Sequence, residues 1–204
     1  MALEAHEGSG FGARRAVVNS ANPSPALDSP PAPRLHDLLT AMPNACVFSA
    51  DRRHRYTLIH RWDDLLRPDS GKGIAWICLN PSTADENQLD PTLRRIRGFS
   101  DAWGYTHFVM LNLFAWRDTS PAGMKAVPDP VGPENDRWIA HWAARVDRVM
   151  CGWGEHGSHL ERDRQVMDLL KPHRHKTFSL VCNASGRPKH PLYVAANTKP
   201  ALFG

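Results

Sequence analysis

A chain of 204 residues can bury the core of one ordinary domain. It has no apolar run near the roughly 20 residues of a spanning helix and no compact apolar segment of a signal peptide at its start, so its expected setting is the cytoplasm. Twenty-five Lys and Arg against 21 Asp and Glu leave a formal net charge of +4, which favours a phosphate-bearing partner without demanding one, while four scattered cysteines argue against a zinc knuckle, a redox pair or a disulfide framework.

Residues 1 to 41 hold Gly8-Ser9-Gly10, Asn22-Pro23-Ser24-Pro25 and Ser29-Pro30-Pro31-Ala32-Pro33 with few large apolar side chains. That is too little burial to offset the entropy of ordering them. They are expected to form a disordered or loosely attached arm, with residues 42 to 204 as a single α/β domain. Cys46 to Phe48 and Tyr56 to Trp62, on either side of the polar Asp51-Arg52-Arg53-His54-Arg55, read as a hairpin or edge pair. Ile74 to Leu79 is a continuous apolar run, the pattern of a strand buried on both faces, and it stops at Asn80-Pro81-Ser82-Thr83.

A polar loop from Asp85 to Asp90 leads to Pro91, a residue suited to the first turn of a helix. Leu93, Ile96, Phe99 and Trp103 then recur at helical spacing until Gly104 ends the run. Arg94, Arg95 and Arg97 fall largely off that stripe. Phe108 to Phe114 is the second core strand, with polar groups Asn112, Arg117, Asp118 and Thr119 at its end. A helix opened by Glu134-Asn135-Asp136 presents Trp138, Ile139, Trp142 and Val146. The third strand is Arg148 to Trp153, a fourth helix runs from about Leu160 to Leu170, and the fourth strand is Thr177 to Cys182. Alternating strands and helices predict a three-layer α/β/α sandwich around a central, mostly parallel, four-stranded sheet.

In an open α/β sheet, ligands sit outside the carboxyl ends of the strands. Asn80, Asn112, the Trp153 region and His190 all follow strands and are expected to converge there. Each has a plainer use: Asn80 and Ser82 can cap a turn, Asn112 can cap a strand end, and Phe99 fits the core stripe of its helix. Arg117 can hold a phosphate or pair with Asp118. His156 and His159 lie three residues apart, but no third ligand accompanies them, so neither metal nor cofactor is expected.

The motifs LNPSTADE, DPTLRR, NLFAWR, DPVGPEND, CGWGEHG and GRPKHPLY, spread over residues 46 to 194, resemble a bacterial and phage family catalogued only as a domain of unknown function (DUF1643-like). More distantly, their order is similar to that of the uracil-DNA glycosylase superfamily. Leu79-Asn80-Pro81-Ser82 is similar to the asparagine-type motif that follows the first core strand of those enzymes. Asn112 matches the asparagine that reads the edge of an extruded base, Phe99 could be the aromatic that stacks on it, and Lys189-His190-Pro191 is similar to their closing His-Pro. The serine and proline run expected after His190-Pro191 is missing, and nothing resembles the iron-sulfur cysteines of some branches.

This resemblance implies a uracil-DNA glycosylase-like fold and a metal-independent hydrolase that cleaves the N-glycosidic bond of a damaged or modified base swung out of DNA. Asn80 would position the water, with Asp85 assisting as a base or as a negative charge beside the sugar cation. His190 would donate to the leaving base. Pro81, Ser82, Phe99, Asn112, Arg117 and Trp153 would surround the substrate, and Arg94, Arg95, Arg187 and Lys189 would hold flanking phosphates. Two rivals stand beside this reading: a hydrolase of a nucleotide or other small glycoside, and a non-catalytic nucleic-acid-binding module on the same scaffold.

Overall fold

The computed structural model describes residues 44–62, 72–82 and 89–204. The arm expected over residues 1 to 41 and the candidate Asp85 lie outside them. In chain order the elements are β1 (Asn44–Phe48), β2 (Arg55–Arg61), β3 (Gly73–Cys78), α1 (Pro91–Ala102), β4 (His107–Asn112), α2 (Pro121–Lys125), α3 (Asn135–Arg145), β5 (Arg148–Cys151), α4 (Arg162–Leu169), β6 (Thr177–Ser179) and β7 (Ala201–Leu202). Short 3-10 segments at Glu155–Glu161, Lys171–Lys176 and Pro191–Tyr193, the first two kinked within, complete the described elements.

All strands among the described residues belong to one seven-stranded sheet of order β1-β2-β4-β3-β5-β6-β7. This corrects the expectation of four strands. The four middle strands, β4, β3, β5 and β6, run parallel to one another. The antiparallel hairpin β1-β2 extends the sheet beyond β4, and the antiparallel β7 extends it beyond β6. The hairpin is long enough to reach β4 in register, Leu58 opposite Met110 and His60 opposite Phe108. The fourth core strand is shorter than its apolar run, because the chain leaves the sheet after Ser179.

Every residue of β3 and β4 is buried, as their unbroken apolar runs require of strands covered on both faces. Ile74, Trp76 and Cys78 turn one way, onto Leu93, Ile96 and Phe99 of α1. The intervening Ala75 and Ile77 face the other side by the two-residue period of a strand. The crossover from β3 through α1 to β4 runs in one direction across the sheet. The crossover from β4 through α3 to β5 runs back past β3, so the right-handed rule puts α1 and α3 on opposite faces.

α1 begins where the sequence says it should. The Asp90 carboxylate accepts the Leu93 N–H at 2.8 Å, and Pro91 occupies the first turn. Its inner face builds an aromatic stack, with Trp76 6.0 Å from Phe99 and 5.9 Å from Trp103 by ring centroids. The Trp76 indole N–H, which would otherwise be buried without a partner, donates to the Ser100 hydroxyl at 3.1 Å. Phe99 is thus a core residue, 3% exposed, and not a base platform.

Candidate functional site

The chain reverses its direction of travel across the sheet at β3, with β4 on one side and β5 on the other. At such a switch point, loops leave the carboxyl ends in opposite directions and open a crevice. A cavity of about 520 Å³ lies there, between the ends of β3 (Cys78, Leu79, Asn80) and β5 (Trp153, Gly154). That volume suits a small ligand or a single nucleotide.

Asn80 enters the cavity from the end of β3 and is half-buried. Its side-chain NH2 donates to the Asp118 carbonyl at 2.8 Å and to the Pro81 carbonyl at 3.3 Å. The Asp118 N–H in turn donates to the Pro81 carbonyl at 2.9 Å. With both amide hydrogens engaged by backbone, the side-chain carbonyl is the part of Asn80 left to face a ligand. Ser82 follows in the same turn and donates its hydroxyl to Asp90 at 3.1 Å.

His190 arrives from the opposite end of the chain. The loop that carries it is pinned to the segments that follow β6 and β5, by Lys189 N–H to the Val181 carbonyl at 2.7 Å and by Gly154 N–H to the Pro188 carbonyl at 2.9 Å. Gly152 permits the approach, since a Cβ there would lie 2.9 Å from Cδ of Pro191. The Leu192 N–H donates to Nδ1 of His190 at 3.3 Å. In the neutral ring the proton therefore resides on Nε2, which makes that atom a donor. Burial pushes the His190 pKa below its ordinary value, opposed by the negative charge of Asp90, so the ring is neutral near pH 7.

Trp153 closes the floor of the cavity and is 2% exposed. Its ring leaves no room for a side chain at Gly157, where a Cβ would overlap it. From behind it is buttressed edge-on by Phe203, 6.0 Å between centroids. Asp90, Asp118 and Glu155 also line the cavity, as do the cationic Arg55 and Lys189. His156 reaches the rim and takes a bond from the Lys125 ammonium at 3.2 Å. Among the described residues no cluster of three or more His, Cys, Asp or Glu side chains could hold a metal ion.

The structure brings together Asn80, Ser82, Trp153, Lys189 and His190. It does not bring Asn112, Phe99, Arg117, Arg94, Arg95 or Arg187 to the cavity. Asn112, the last residue of β4, is 1% exposed; its backbone carbonyl accepts from Asn135 at 3.0 Å and its side-chain oxygen has no hydrogen-bond partner among the described residues. Pro81 is buried in the turn. The Arg117 guanidinium lies 5.1 Å from the Phe48 ring and donates to the Arg52 carbonyl. Arg187 does not line the cavity but bonds Asp163 at 2.9 Å and pairs with Glu155 of the lining at 3.6 Å. Arg95 donates to the Val194 carbonyl and covers Phe99, while Arg94 is exposed and donates to the Leu89 carbonyl at 2.6 Å.

Sequence reasoning passed over Asp90, Asp118 and Glu155 as site residues. Only Asp90 carried a local signal, as the acid directly before Pro91, and that signal reads equally as a helix cap. Asp118 and Glu155 enter through the paths of loops, which no local pattern specifies.

Comparison with protein families gives a match to the model described as Protein of unknown function (DUF1643) over residues 55–192, more than half of the chain and including every described residue of the cavity except Tyr193. Comparisons with curated proteins and with solved structures give no match. Among the described residues no helix is long and apolar enough to cross a membrane.

Proposed function

Because the chain belongs to the family described as Protein of unknown function (DUF1643), whose description assigns no activity, its own cavity must supply the reading, and we propose that this cavity hydrolyses an N-glycosidic bond. The observation that carries the reading is that Asn80 and His190, far apart in sequence, line one cavity, with the Asn80 NH2 and the His190 Nδ1 held by backbone so that an acceptor carbonyl and a donor Nε2–H remain for a ligand. The Asn80 carbonyl holds the attacking water. The Nε2–H of His190 meets the leaving base.

In that reaction the bond between the sugar carbon and the base nitrogen breaks with its electron pair on the base. The water oxygen bonds to the sugar carbon, its proton passes to a carboxylate or to solvent, and the base is protonated from solvent. Bond breaking leads, so a fixed water and a donor aimed at the developing base anion contribute more than a strong base would. A neutral His190 suits this role because it donates without adding positive charge beside a sugar cation. Asp85 stays in the proposal as an assisting carboxylate beyond the described residues.

The cavity lining favours a free nucleoside or other small glycoside as substrate. Three carboxylates line the cavity with Arg55, and of the four basic residues expected to hold DNA phosphates only Lys189 is part of the lining. A damaged or modified base swung out of DNA is the second reading, favoured by the basic balance of the chain. A uracil-DNA glycosylase-like arrangement of the four parallel strands belongs to the same proposal.

The test is base release. Nucleosides, nucleotides and DNA carrying modified bases are incubated with the protein, and free base or alkali-labile abasic sites are measured. Asn80→Ala and His190→Ala are each expected to slow release about 10²- to 10³-fold. Binding without release from any of these substrates would leave only the non-catalytic module.

A further inference from the structure

Asp90 stands where three parts of the site meet. One oxygen accepts the Leu93 N–H at 2.8 Å and caps α1; the other accepts the Ser82 hydroxyl at 3.1 Å. Ser82 belongs to the turn that carries Asn80, so this second bond ties the end of β3 to the start of the helix. The same carboxylate lines the cavity with His190. A helix cap needs only one acceptor oxygen and no net charge, as the equal service of Asn and Ser at such positions shows. The Ser82 bond and the placement in the cavity are therefore additional to the needs of α1.

We propose that Asp90 is the positioning residue of this site, a carboxylate locked by Leu93 and Ser82 so that its negative charge acts on His190 across the cavity. Other charged and titratable groups belong, among the described residues, to the same cavity or to the elements beside it. Its own loop brings Lys189 and Tyr193, and α1 brings Arg95, whose guanidinium bonds the Val194 carbonyl. Across the cavity lie Asp118, Glu155, His156 and Arg55. Against burial, which disfavours the imidazolium, the charge that acts in the opposite direction is that of Asp90. Resting on the glycosidic reading, the same fixed charge also stands beside the sugar as it becomes cationic.

The test is the titration of the His190 ring, followed by NMR in the full chain. Wild type is compared with Asp90→Asn, Asp90→Ser and, as a control for loss of any nearby acid, Asp101→Asn near the end of α1. Asn and Ser both cap helices, so the two Asp90 variants keep the fold while removing the charge. The expected result is a His190 midpoint displaced to lower pH in both, and unchanged in Asp101→Asn. A midpoint in the Asp90 variants equal to wild type, or moved no further than in the control, overturns the proposal. If one variant fails to fold, the other supplies the reading. Base release on the same proteins separates the two claims. Absence of release from wild type removes the glycosidic reading and leaves the titration standing, whereas release with an unmoved titration removes Asp90 and leaves that reading intact.

Discussion

His107 sits 2% exposed at the start of β4, against Gly73, where a Cβ would meet the imidazole Nε2 at 2.5 Å. Burial, helped by the charge of Arg61, lowers its pKa from 6.5 to about 4. The unfolded ring takes up a proton near 6.5 and the folded one only near 4, so between those values the unfolded state binds more protons. Stability is therefore expected to fall as pH drops from 6.5 toward 4. Urea midpoints measured across that range should decline, and the decline should be shallower in His107→Gln. A slope identical in the variant would assign the effect to other buried groups such as His60, whose pKa is also lowered by burial. His190 shares the same direction of shift. Its neutral form, and with it the proposed donor, should persist below pH 6.5.

At the scale of elements, α1 is the part on which both core and site depend. Its outer end caps onto Asp90 at the cavity, while its inner face fills the space over β3 with Leu93, Ile96 and Phe99. Phe99→Ala removes a ring packed between Trp76, Trp103 and the Arg95 guanidinium. The lost burial and the void together are expected to cost about 3–5 kcal/mol, measurable by urea unfolding. A cost below about 1 kcal/mol would mean that the aromatic stack closes over the gap. This helix was legible in the sequence because four apolar residues at helical spacing lay between Pro91 and Gly104. The five-residue α2 and the two-residue β7 were not legible, because elements so short carry no period and exist only where neighbouring chain holds them.

Across the whole molecule, the end of the chain supports the site from outside its walls. The Phe203 N–H donates to the Thr177 carbonyl at 3.0 Å beside β7, and its ring meets Trp153 edge-on. Phe203→Ala should loosen the cavity floor, seen as a change in tryptophan emission. It is expected to slow base release by up to about 10²-fold if the wall sets the geometry of the substrate. An emission spectrum identical to wild type would show that β5 alone fixes Trp153. The β1-β2 hairpin plays the corresponding part at the opposite edge, delivering the buried Arg55 into the cavity lining from the first residue of β2.

By itself the sequence determined the edge hairpin, the four core strands and the longer helices between them, and that polar residues follow each of those core strands, since apolar period and cap chemistry act over a few neighbouring residues. It determined that Asn80 and His190 both emerge at a strand-end rim. Only the tertiary structure decided which polar groups share the cavity. Asn112, the last residue of β4 and level with Cys78, is buried, and Arg187 is held outside the lining by Asp163 and Glu155. Asp90, Asp118 and Glu155 are brought in by loops whose course depends on backbone bonds to distant strands. The physical reason is range: a side chain's direction at a loop is set by packing partners far along the chain, and no local pattern records them.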